Sequence, residues 1–129
     1  MEVRLFTEND YPEICKWWAS WGWDAIPLES LPTIGLIAVN GKEDIYAAFL
    51  YKTDSDICWF DWFVGNKEAK KENRKGGLNF LIKEGATIAK QMGFSKVFCS
   101  VRHESVTKAL STEGFIETDK NMTNFVGII

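Results

Sequence analysis

The chain has 129 residues, 46% of them hydrophobic and 26% charged, with a net charge of −3. That length predicts one domain over residues 1–129, large enough for a core of its own and too short for two. An acidic chain lacks the basic face that nucleic acid demands, and no run approaches the ~20 apolar residues that span a bilayer, so neither nucleic acid nor membrane is an expected partner.

The first expected element is a strand from Val3 to Phe6. A helix-start signal at Asn9-Asp10 and Pro12 precedes Ile14, Trp17, Trp18 and Trp21 at helical spacing, and Gly22 ends the helix. Residues 24–32 hold two prolines and no periodicity, which reads as an ordered loop. Ile34 to Val39 is a strand closed by the hairpin signal Asn40-Gly41, and Ile45 to Tyr51 pairs back against it. After a turn at Thr53-Asp54-Ser55-Asp56 comes an aromatic strand, Ile57 to Val64. A long helix then carries Leu78, Leu81, Ile82, Gly85, Ile88, Ala89 and Met92 on one face and stops at Gly93. Val97 to Val101 reads as a strand and Glu104 to Thr112 as a shorter helix. A hairpin from Phe115 to Ile129, turning near Asp119-Lys120-Asn121, completes the order β-α-β-β-β-α-β-α-β-β. This is an α+β pattern with a mostly antiparallel, mixed central sheet.

The stretch joining the aromatic strand to the long helix carries the chemistry. Between Lys67 and Lys75 lie five basic residues (Lys67, Lys70, Lys71, Arg74, Lys75) against Glu68 and Glu72, an excess of +3 on one loop of an acidic protein. Gly76 and Gly77 follow at the helix start. Unpaired amides there point outward, and the aligned peptide dipoles add roughly half a positive charge, so the turn reads as a cradle for a small polyanion. The plainer alternative is a solvated basic loop that caps the helix. The three cysteines are an odd number without paired spacing, and they read as reduced. With no basic segment leading into an apolar one at the N-terminus, a cytoplasmic protein is expected. His103 is the sole histidine, and no Cys or carboxylate cluster at ligand spacing accompanies it, so no metal is expected.

This order, with a glycine turn after the fourth strand and Gly114-Phe115 after the last helix, resembles the GNAT superfamily of acyl-CoA N-acyltransferases along almost the whole chain. In that family a pattern of Gln or Arg, two residues, Gly, one residue, then Gly or Ala holds the coenzyme A pyrophosphate on backbone amides. Arg74-Lys75-Gly76-Gly77-Leu78-Asn79 matches at Arg74 and Gly77 and departs at Asn79. Counting back from Gly114, His103 stands on the family's usual Asn and Leu110 on its usual Tyr, the residue that commonly protonates the departing thiolate. The early segment, with Trp17, Trp18, Leu31-Pro32 and Gly35, is also similar to small GNAT-like proteins encoded by bacteriophages.

The resemblance implies acetyl-CoA as cofactor and an amine of a small molecule or protein as acceptor. It implies that Arg74, Lys75, Gly76, Gly77, Asn79 and His103 contact the cofactor and that the backbone at Phe63 and Val64 polarises the thioester. Amine acylation needs a proton acceptor, because an amine with a pKa of about 10.4 is protonated at neutral pH. Asp61, between Trp59, Phe60, Trp62 and Phe63, is the candidate base, since apolar neighbours raise a carboxyl pKa. A solvent-facing strand carboxylate is the bland alternative. Tyr51 is a weaker candidate for the missing acid, and Trp23, beyond the helical stripe, for a pocket wall or partner contact. Leu110 and Asn79 also admit a second function, a GNAT-fold binding module without catalysis, directed at a host protein if the phage likeness is sound. Monomer and homodimer are both open, the latter through an exposed final strand.

Overall fold

The computed structural model describes all 129 residues. Five strands form one sheet whose spatial order follows the chain: β1 (Glu2–Leu5), β2 (Ile34–Asn40), β3 (Glu43–Tyr51), β4 (Ile57–Gly65) and β5 (Lys96–Phe98). β1 pairs antiparallel with β2 across the long connection 6–33, β2 to β4 pair antiparallel through short turns, as the hairpin signals require, and β5 lies parallel to β4. A parallel neighbour needs a crossover, and the helix between β4 and β5 provides it. The helices are α1 (Tyr11–Ser20), the single turn α2 (Lys71–Arg74), α3 (Gly77–Gln91) and α4 (Glu104–Thr112). The α+β class and the mixed, mostly antiparallel sheet are as the sequence predicts.

Each face of the sheet has its own core. α3 and α4 bury Leu81, Ile82, Ala109 and Leu110 against Leu36, Ile45, Leu50, Cys58 and Phe60. On the other face α1 buries Ile14, Trp17 and Trp18 against Ile37, Ala47, Phe49 and Val64. Gly85 lets α3 lie directly on the Phe60 ring, where any Cβ would collide. Arg4 fastens the first strand to both layers, donating to Asp10 at 2.8 and 3.0 Å and to Asp44 at 2.8 and 3.3 Å.

Two bulges reverse the alternation of side chains, and both lie near the site described below. In β3, Tyr46 pairs with Ala38 but Asp44 with Val39, so Ile45 is an extra residue, and Ile45 and Tyr46 both meet the α3 core. In β4, Asp61 pairs with Phe49 but Val64 with Ala47, so three steps oppose two. Trp62 takes up the surplus with a φ of 60°, a left-handed backbone that a bulky residue seldom adopts.

The C-terminal region departs from expectation. No strand forms after α4, so the hairpin expected from Phe115 to Ile129 is absent, although Asn121 has the left-handed φ of 57° proper to its turn. Residues 117–124 are dominated by Asp, Lys, Asn and Thr, mostly poor strand formers, and an isolated hairpin is marginal without a sheet edge to join. The available edge, β5, is only three residues long and ends at Phe98 rather than the expected Val101.

Candidate active site

β4, the start of α3 and the start of α4 converge on one cleft, about 70 Å³ in volume, lined among others by Phe63, Val64, Arg74 and His103. These four were singled out in the sequence, and the fold brings them together. Tyr46, Trp21 and Trp23 complete the walls. Tyr46 is there because of the Ile45 bulge. Its ring is wedged between Gly65 and Gly77: a Cβ at Gly65 would lie 2.8 Å from it, and one at Gly77 would lie 3.0 Å from it and 2.5 Å from Ile45 Cδ1. Gly77 therefore serves helix-to-sheet packing. Gly76, with a φ of 76°, is the residue that turns the chain into α3.

Two features of this turn suit an anion. The Phe80 amide is the first in α3 to bond back, to the Gly76 carbonyl at 3.0 Å, which leaves the amides of Gly77, Leu78 and Asn79 without a helical acceptor. The Arg74 Nε is buried and has no hydrogen-bond partner, a cost to the fold unless an acceptor arrives. Lys75 is exposed at the end of α2. The Asn79 side chain is engaged elsewhere, donating to Glu113 Oε2 at 3.1 Å, so its backbone amide is what it offers the turn. Lys67 is committed as well: its Nζ bonds the Ser20 carbonyl at 2.8 Å and sits 4.0 Å from the centre of the Trp21 ring, which trims the loop's free positive charge.

Aromatic residues shape the opposite wall. Trp21 and Trp23 stack at 5.6 Å, and the His103 ring stands edge-on to them at 5.5 and 6.4 Å. Trp21 Nε1 donates to the Gly65 carbonyl at 3.0 Å, tying the end of α1 to the end of β4. The helical stripe assigns Trp21 to the α1 core, and the structure gives it both duties. His103 caps α4: its Nδ1 accepts from the Ser105 amide at 3.3 Å and lies 2.7 Å from the Ser105 hydroxyl. An accepting Nδ1 puts the neutral ring's proton on Nε2. Leu110, by contrast, is a buried core residue.

Asp61 stands two residues before Phe63 on β4, outside the cleft lining and on the α1 face of the sheet. Its Oδ1 accepts from the Trp62 amide at 2.9 Å, a bond that the bulge makes possible. Burial pushes the carboxyl up to about 6, while the amides of Trp62 and, from beyond the end of β5, Ser100 hold it down. Cys99 alongside is pushed up to about 12, by burial first and then by the Asp61 and Cys58 charges, so it stays a thiol. Tyr51 holds its proton too: burial raises it, and its hydroxyl donates to the Ser30 carbonyl at 2.7 Å.

A larger hollow of about 260 Å³ lies between α3 and the chain after α4, rimmed by Lys83, Lys90, Glu113 and Phe115. It shares no residue with the cleft. Its charges partly satisfy each other, with Lys83 3.8 Å from Glu113.

No protein-family model matches the sequence, and no curated protein matches it. Solved structures do. A probable acetyltransferase superposes with a TM-score of 0.74 at 17% identity, covering 100% of this chain and 99% of that one. An aminoglycoside acetyltransferase from an uncultured soil metagenomic sample, in complex with sisomicin, gives 0.70 at 13%, covering 99% and 96%. The aminoglycoside N-acetyltransferase AAC(6')-Iy, in complex with CoA, gives 0.70 at 13%, covering 98% and 100%. The chain thus has the fold of the GNAT acetyltransferases.

Proposed function

We propose that residues 1–129 form a single acyltransferase domain that moves an acetyl group from acetyl-CoA to an amine of a small molecule or a protein. The observation that carries this reading is the meeting of Arg74, the open start of α3 and His103 in one cleft beside the bulged strand of a GNAT fold. Fold alone does not settle activity, so the weight falls on these groups. The orphaned Arg74 Nε and the free amides of α3 are donors in search of an anion, and a pyrophosphate fits them. In this reading Arg74 and Lys75, with the amides of Gly76, Gly77 and Asn79, hold the phosphates, and His103 lines the path toward β4.

Bound acetyl-CoA would supply an activated acetyl group and a thiol leaving group. The amides of Phe63 and Val64, next to the bulge, polarise the acetyl carbonyl; that of Trp62 is already given to Asp61. Asp61 accepts the amine's proton. A carboxyl near 6 is mostly ionised at neutral pH and is a stronger base than an ordinary aspartate. Leu110 has no proton to give; the His103 Nε2–H in the cleft wall donates a hydrogen bond to the leaving thiolate, which takes its proton from solvent. A cytoplasmic location belongs to the same reading and is supported by three free cysteines.

The test is thiol release from acetyl-CoA against a panel of amines. Wild type is expected to release thiol with at least one of them, and Asp61→Asn to do so roughly 10²- to 10⁴-fold more slowly. One observation favours a second reading, a binding module on the same fold: the family's usual acid is replaced by core Leu110. Cofactor binding with no thiol release from any amine would move the assignment there.

A further inference from the structure

On the sheet face that α1 covers, Asp61 is part-buried among aromatic rings that are themselves partly exposed. Tyr51, Trp59 and Asp61 share that face, because Tyr51 pairs with Trp59 and Phe49 with Asp61 in the regular part of the β3–β4 ladder. Phe98 pairs with Trp59 across the parallel ladder, their ring centres 5.4 Å apart. The bulge contributes one more ring: Trp62 Nε1 donates to the Tyr51 hydroxyl at 2.8 Å, and that hydroxyl donates onward to Ser30. The relay fixes both rings in place. Trp59 and Trp62 are each 40% exposed and Phe98 37%. Single exposed aromatics are ordinary, but adjoining ones around a carboxylate are the mark of a recognition surface.

The charge says what is recognised. Asp61 forms none of the molecule's salt bridges, and its partners are the backbone amides of Trp62 and Ser100. Aromatic faces are negative and favour a cation, while their area favours an apolar chain. We propose that Tyr51, Trp59, Trp62 and Phe98 form with Asp61 an acceptor cup for a primary ammonium group carried on an apolar arm. This deepens the acyl-transfer reading and rests on it for the amine's fate, though not for its binding.

Titration of the full chain at pH 7.5, read by tryptophan fluorescence, tests the cup. The probes are ethyl-, butyl- and hexylammonium, the neutral isostere 1-hexanol, and Nα-acetyl-lysine methylamide. Affinity is expected to rise about three- to fourfold per methylene, and hexanol to bind at least about tenfold more weakly than hexylammonium. The double variant Trp59→Leu/Phe98→Leu should lose roughly tenfold in hexylammonium affinity while keeping its response to coenzyme A. Asp61→Asn should shrink the preference for ammonium over alcohol, leaving only the part the rings supply. A lysine derivative binding as tightly as butylammonium assigns the head group to protein lysines, and a weaker one assigns it to free amines. No saturable signal, equal binding of hexanol, or an unaffected double variant would overturn the cup. A coenzyme A melting shift without ammonium binding removes the cup and leaves acyl transfer standing, and ammonium binding without that shift does the reverse.

Discussion

Asp61 joins the two halves of the account, because the burial that makes it a base also makes it a burden on the fold. Its carboxyl binds a proton near pH 6 when folded and near 3.8 when unfolded. Between those values the folded chain holds more protons, so stability falls as pH rises through the interval, and above it the ionised group costs on the order of 2–3 kcal/mol. Asp61→Asn should therefore melt roughly 5 to 10 °C above wild type at pH 7.5, with the gap closing below pH 4. The same carboxyl should make wild-type kcat/KM climb through about pH 6, a limb the Asn variant lacks. An Asn variant no more stable than wild type would show that the charge is well solvated. The sequence made this residue visible through its aromatic neighbours. It did not reveal that Phe63, two residues on, leaves the face of Asp61 at the bulge, since Trp62, rather than a glycine, adopts the positive φ.

Elements were legible where periodicity spoke and illegible where pairing geometry decided. Of the nine elements from β1 to α4, all but the single turn α2 follow from apolar spacing, the Asn40-Gly41 turn and Gly93. Tyr46 escaped notice as a cleft wall because alternation assigns it a face that the Ile45 bulge reverses. Residues 115–129 alternate well enough to suggest strands, but alternation cannot supply a partner edge, and β5 provides little of one. The contact of α3 with β4 leads to a prediction that runs against helix propensity. Gly85→Ala gains up to about 1 kcal/mol in a helix interior, yet its Cβ would strike Phe60 in the core. The net result should be a loss of about 1–3 kcal/mol, read as a lower melting temperature. A stabilised variant would mean that α3 sits farther from the sheet.

At the scale of the whole molecule, the working parts lie in the body and the C-terminal region stands apart. Ile116, Phe125, Val126, Ile128 and Ile129 are all more than four-fifths exposed, and no strand or helix holds that stretch. Trypsin at limiting concentration should cut first after Lys120, leaving a body that mass spectrometry identifies as residues 1–120. Protection of Lys120 until global unfolding would mean that the segment is paired. The body's own claim is that a coenzyme A thioester lies along the cleft with its phosphates at Arg74 and the start of α3. Isothermal titration with acetyl-CoA, on wild type and on Arg74→Glu, measures this directly. Wild type is expected to bind saturably at one to one and the variant at least tenfold more weakly, with an unchanged melting temperature in the absence of ligand. Absence of binding by a cooperatively folded wild type, or equal affinity in the two proteins, would contradict it.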